Sequence, residues 1–310
     1  MINKTYIQKL DTLPFVAPME TVTVKKCGNI LETVYLSRRN TKCAIKKLDK
    51  ETYVKLSTGE IKNFKHNENR KDDLNAVRSS LKRLKDYINT NCTKPQNCRW
   101  ITLTYAENMK DTKRLYLDFN KFTKRLKYRY GTLEYIVAME PQGRGAWHAH
   151  LILIFPTVAP YIDNAELKEI WGQGYVSVKQ LKGIDNIGAY LTAYLGDMEL
   201  NEDNLQTYFE NKEKIQLKTV TTTENGKEVS KRYIKGARLA LYPVGFNLYR
   251  ISKGIKKPKI KQWKEFELQE LAKRCKETYK KAIQVTYPTI NGDINTVTIF
   301  YRQYLYKGGG

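Results

Sequence analysis

Histidine is the scarcest side chain in this 310-residue chain, present only as His66, His148 and His150. Cysteine is little commoner: Cys27, Cys43, Cys92, Cys98 and Cys275. An odd, dispersed set gives no disulfide framework and fits a reducing compartment, so a cytoplasmic location is expected. Cys92 and Cys98 have no second Cys/His pair nearby, which does not meet the four-ligand spacing of structural zinc. Long apolar runs are missing too. The longest, Leu151–Phe155, is far short of the roughly 20 residues of a spanning helix. The opening MINKTYIQKLDTLPF lacks the apolar stretch of a secretory signal, and no membrane partner is expected. No Walker A pattern occurs, so no built-in helicase is expected. Acidic residues are in deficit: Asp plus Glu is 32 against 55 Lys plus Arg, a formal charge of +23. That much like charge resists compaction unless a polyanion offsets it, which points to nucleic acid. Hydrophobic residues at 41% still permit a real core, in two domains or in one with large extensions.

The chain divides by pattern. Residues 1–97 form an N-terminal extension with short strands (TVTVKK, ILETVYLS, CAIKKL, TYVKLS). A basic amphipathic helix follows, capped by Asp72/Asp73, with Leu74, Val77, Leu81, Leu84 and Ile88 as its stripe. Residues 98–200 are regular. Strands are predicted at Trp100–Tyr105, Leu133–Glu140, Trp147–Phe155 and Tyr175–Leu181. Helices are predicted at Lys113–Tyr130, Asn164–Trp171 and Asn186–Leu195. The order βαββαβα, with two strands joined by a tight turn, predicts an α+β fold: an antiparallel-dominated sheet with flanking helices. Residues 201–310 are expected to form a basic C-terminal DNA-binding or accessory region. Within it, residues 251–281 hold eleven Lys/Arg against four Glu. Gln262–Ala282 reads as an amphipathic helix, and Asn291-Gly292-Asp293 as a hairpin turn.

Two of the three histidines form His148-Ala149-His150. With three histidines in the chain, such a pair is expected by chance on the order of 0.03 times. On a strand, residues two apart share a face, so both imidazoles point the same way, opposite to Trp147, Ala149 and Leu151. If the Gly143-Arg144-Gly145 turn centres on Arg144, Glu140 lies directly across from His148, with Cβ atoms roughly 5 Å apart. Two nitrogens and one hard oxygen, with positions left open, suit a catalytic Mn²⁺ or Mg²⁺ better than a closed zinc site. Tyr190 and Tyr194 are four apart on the Asn186–Leu195 helix, about 6 Å from one another on one face. Beside such a centre a phosphodiester is polarised enough for a phenol to attack phosphorus. Tyr190 is the favoured nucleophile: Gly188 and Ala189 leave space for a DNA backbone, whereas Gly196 ends the helix just after Tyr194.

The WITLTY strand, the Glu-x₇-His-hydrophobic-His spacing and the downstream helical tyrosine resemble the three motifs of the HUH endonucleases. The similarity is greatest to the rolling-circle replication initiators (Rep) of plasmids and phages, including the filamentous-phage type, and spans about residues 98–198. The resemblance implies a palm with the histidine strand at its centre, and nicking and rejoining of single-stranded or hairpin origin DNA. The expected intermediate is a 5′-phosphotyrosine, and the expected partners are a host helicase and replication machinery. Many single-tyrosine relatives carry a lysine three residues after the nucleophile. None stands there here, so that role is unfilled or falls to Lys179 or Lys182. The Tyr-x₃-Tyr spacing resembles the two-tyrosine phage initiators, which also place a lysine between the tyrosines. Arg144, beside the site, could grip a phosphate. Gly236–Pro258 interleaves Tyr242, Phe246 and Tyr249 with Arg238, Arg250 and Lys253, a pattern suited to single strands. A relaxase or transposase of the same chemistry, or a non-catalytic nucleic-acid-binding regulator, are the alternatives.

Overall fold

A computed structural model describes residues 5–39, 44–64, 74–142, 145–181, 186–192, 197–199, 217–224, 227–234, 237–243, 245–288 and 294–306. His66, the Asp72/Asp73 cap and the Asn291-Gly292-Asp293 turn lie outside the described residues. The fold is α+β with antiparallel sheets. It separates into two compact units: Met1–Asn67 with Pro258–Gly310, and Glu68–Lys257.

The first unit joins the two ends of the chain. Its six-stranded antiparallel sheet runs Tyr6–Lys9, Cys275–Pro288, Ile294–Tyr306, Ile30–Leu36, Thr21–Cys27, Lys259–Lys264. This differs from a linear division at residues 97 and 200, because segments more than 200 positions apart supply neighbouring strands. The Glu265–Ala272 helix buries Leu268 among Val22, Val24, Leu31, Phe300 and Tyr304. Glu265 and Arg302, both buried, meet through two hydrogen bonds of 2.6 Å.

The expected helix over Gln262–Ala282 is therefore a misreading. Only Glu265–Ala272 is helical, and a strand begins at Cys275. The stretch CKETYKKAIQVTYP is rich in β-branched and aromatic residues. It pairs along its length with Ile294–Tyr306, and that hairpin partner overrides the lysine-rich helical spacing.

The second unit holds a five-stranded antiparallel sheet in the order Gly174–Gln180, Cys98–Tyr105, Trp147–Ile154, Glu134–Pro141, Tyr249–Ile251. The histidine strand is central. Strand alternation splits its residues between two cores. On one face Trp147, Ala149, Leu151 and Leu153 join Leu115, Phe119, Phe122 and Leu126 of the Thr112–Tyr130 helix. That helix starts where the Asp111 carboxylate accepts the Lys113 amide at 2.7 Å and stops at Gly131, whose φ is 76°. Leu167 and Trp171 of the Asn164–Trp171 helix complete this layer. On the other face Cys98, Ile136, Ala138 and Ile152 meet Leu84 and Ile88 of the Leu74–Asn91 helix, together with Ile187 and Leu191 of the Ile187–Thr192 helix. No helix among the described residues is long and apolar enough to cross a membrane.

Candidate metal centre

The turn between the glutamate and histidine strands sets the register. The Gln142 amide donates to the Ala146 carbonyl at 2.8 Å, and the ladder then pairs Pro141 with Trp147 and Glu140 with His148. Trp147 pins the strand from the opposite face. Its indole donates to the Lys110 carbonyl at 3.0 Å and stacks on Phe246, with centroids 4.5 Å apart. With Trp147 locked on one side, His148 and His150 are forced to the other.

There they converge with Glu140. The His148 Nε2 lies 3.2 Å and the His150 Nε2 3.6 Å from the Glu140 Oε2. One donor atom from each of the three residues lies within 4.8 Å of the others. Glu140 is 2% exposed and His148 8%. Burial works against the Glu140 carboxylate. The hydrogen bond from His148, the nearby His150 ring and the Arg238 charge outweigh it and hold the group well below the usual carboxylate range. For His148 burial dominates and lowers its pKa despite the hydrogen bond to Glu140, which favours the neutral ring that coordinates metals. A buried carboxylate beside two imidazoles, with coordination positions left open, fits a divalent cation.

The neighbouring strand tunes the site. Cys98–Tyr105 pairs Thr102 with His150 and Thr104 with His148. The Thr102 hydroxyl lies 3.3 Å from the His150 Nδ1. With a cation between the imidazoles and Glu140, an Nδ1–H donated there would leave the His150 Nε2 lone pair free to ligate it. Trp100 stacks on the His150 ring, with centroids 5.3 Å apart at 10°. Sequence reasoning missed both roles, although the alternation of WITLTY already places Trp100, Thr102 and Thr104 on one face. The missing signal was the register of that strand against the histidines.

Arg238, assigned from sequence to DNA contact, sits inside this cluster. Its Nη1 is 3.0 Å from the Glu140 Oε2. Tyr242 is 6% exposed and buried with Phe246 around Trp147. Those two rings build the core and are not open for base stacking. Arg250 pairs opposite Val137, on the face away from the histidines, with its guanidinium 3.5 Å over the Tyr116 ring. Lys179 is exposed at the sheet edge opposite Trp100, on the site face. Lys253 is exposed just after the Tyr249–Ile251 strand. Arg144, Lys182 and Tyr194 lie outside the described residues.

Tyr190 belongs to the Ile187–Thr192 helix, which covers the same sheet face as the histidines through Ile187 and Leu191. The expectation that Gly188 opens this helix to DNA is corrected by the packing. A Cβ at Gly188 would stand 2.5 Å from the Lys85 carbonyl oxygen and 2.7 Å from the Asn89 Oδ1. The glycine is there to admit the Leu74–Asn91 helix. The Asn89 Oδ1 accepts the Gly188 amide at 2.7 Å, and its Nδ2 donates to Asn186 at 2.9 Å. Gly188→Ala is expected to lower stability by about 1–3 kcal/mol through overpacking, measured as a fall in the urea midpoint.

Residues 98–199 match the family model for the replication-associated protein ORF2 family. The matched stretch contains Glu140, His148, His150 and Tyr190. No curated protein matches the chain.

Proposed function

We propose that this chain initiates rolling-circle replication by nicking single-stranded or hairpin origin DNA and rejoining the strands. The observation that carries the reading is the convergence of buried Glu140 and His148 with half-buried His150 inside the stretch similar to replication-associated proteins. Glu140, His148 and His150 would hold Mn²⁺ or Mg²⁺, which supplies Lewis-acid polarisation of the scissile phosphate. Tyr190 is the nucleophile of this reading, supported by the packing of its helix on the histidine face. Its phenolic oxygen bonds to phosphorus, the P–O3′ bond breaks, and the proton leaves with the 3′ oxygen. The products are a 5′-phosphotyrosine and a free 3′-OH. Attack by a 3′-OH reverses the step, so strand joining needs no nucleotide. A host helicase would open the duplex.

The test is incubation of the full chain with single-stranded origin DNA and Mn²⁺, followed by a denaturing gel. A band of protein covalently joined to DNA is expected. Binding with no adduct under any divalent metal would favour the non-catalytic regulator.

Arg238 gives an independent handle on the cluster. Its cation shares the Glu140 carboxylate that the reading assigns to a metal. Two positive species on one buried carboxylate repel, by kilocalories at close range in a protein environment. Arg238→Gln is therefore expected to raise Mn²⁺ affinity at least about tenfold, measured by electron paramagnetic resonance titration without DNA. Unchanged affinity would place Arg238 outside the metal balance.

A further inference from the structure

The first unit contains a cavity of about 250 Å³ that the nicking reading does not use. Its floor is apolar, built by Val24, Ile30, Leu31 and Leu271, and Trp263 and Tyr306 add aromatic surface. Three exposed lysines, Lys26, Lys259 and Lys261, complete the lining. The sheet explains the grouping. Lys259–Lys264 is the edge strand, paired antiparallel to Thr21–Cys27. Lys259, Lys261 and Trp263 alternate along it, so all three share one face.

The register also sets Lys259 directly across from Lys26. Like charges in that position destabilise a sheet. No ion pair joins any of the three lysines to a carboxylate among the described residues, and Lys26 lies 5.7 Å over the Tyr306 ring. The whole unit is basic, with 23 Lys/Arg against 11 Asp/Glu. A cluster of cations around an apolar, aromatic hollow calls for a ligand with a flat apolar body and flanking negative charge.

We infer that this cavity is a second nucleic-acid site, which takes an unstacked base of single-stranded DNA while Lys26, Lys259 and Lys261 meet the adjoining phosphates. Base stacking on aromatic side chains and lysine contacts to the backbone are the two components of sequence-tolerant single-strand binding. Lysine suits this role because it acts as a mobile point charge and does not need a fixed bidentate geometry. The inference rests on the reading of the chain as a single-strand DNA protein, but it involves none of the nicking residues. It gives the first unit a strand-holding task separate in its residues from cleavage.

The test uses the full chain and a 20-nucleotide oligothymidylate. The double variant Lys259→Glu/Lys261→Glu changes exposed side chains only, and its melting temperature is checked first. Its dissociation constant is expected to rise at least about tenfold, with the log–log salt slope falling by about 1.4 for two lost phosphate contacts. Adduct formation at saturating single-stranded origin DNA with Mn²⁺ is expected to remain at the wild-type level. A 5-bromodeoxyuridine oligonucleotide should photocrosslink to the peptide carrying Trp263 or to that carrying Tyr306. Wild-type affinity in the folded double variant would overturn the site, and so would crosslinks found only elsewhere. Loss of binding to phosphatidylglycerol vesicles with DNA binding unchanged would assign the cavity to lipid and overturn it as well. If the wild type forms adduct and the variant binds normally, only this site falls. If the wild type neither binds DNA nor forms adduct, the nicking reading falls with it.

Discussion

Replacing His150 with alanine, alone or together with His148→Ala, is expected to reduce nicking at least about a hundredfold, because loss of a ligand exceeds the 10–100-fold effect of losing a residue that only supports one. DNA affinity is expected to hold near the wild-type level. The two quantities separate because they arise in different places. Affinity for a polyanion is spread over many lysine and arginine contacts, and the chain carries 55 such residues. In the proposed reaction the chemistry would be concentrated on three side chains whose donor atoms lie within 4.8 Å. Glu140→Gln should be milder, since an amide oxygen still coordinates. It removes the charge that Arg238 and both histidines approach, so a cost in stability is also expected. The measurements are product formation on a denaturing gel and fluorescence anisotropy on the same oligonucleotide. A double alanine variant that nicks at the wild-type rate in chelator-free Mn²⁺ would exclude a metal role for this cluster.

The parts of this site that were legible in the sequence are those fixed by local geometry. A tight turn defines its own register, so Glu140 opposite His148 could be placed from a symmetric hairpin. Period-2 alternation in WHAHLILI separated the core residues Trp147, Ala149 and Leu151 from the histidines. The helix over Thr112–Tyr130 was legible from the spacing of Leu115, Phe119, Phe122 and Leu126. What failed depended on distant partners. The six-stranded sheet combines residues 6–36 with residues 259–306, and no local pattern encodes that. Tyr242 and Phe246 among basic residues fit a stacking platform or a core equally well. Trp147, about a hundred residues upstream, decided for the core. Arg238 was visible as a cation, but its contact with Glu140 depends on how the segment after Ile234 returns to the sheet.

Tyr190→Phe is expected to eliminate the covalent adduct. The substitution removes one hydroxyl and keeps the ring, so lost adduct with unchanged thermal stability reports chemistry and not folding. The space beside Gly188 that favours Tyr190 in the sequence is filled by the Leu74–Asn91 helix. The stronger reason is rigidity. The Gly188 amide is held by Asn89, two residues before Tyr190, while Ile187 and Leu191 on either side are packed into the core beneath the histidine face. A nucleophile mounted on a backbone locked in this way keeps its aim at a phosphate, and a loosely held one does not. The same reasoning links two variants: Asn89→Ala should weaken adduct formation by loosening the mount while leaving the phenol in place. Tyr194→Phe should leave first cleavage intact and impair only a second transfer. Peptide mass mapping of the wild-type adduct decides between the tyrosines. A phosphotyrosine at Tyr194 would reverse the assignment, and an adduct at neither position would remove this helix from the chemistry altogether.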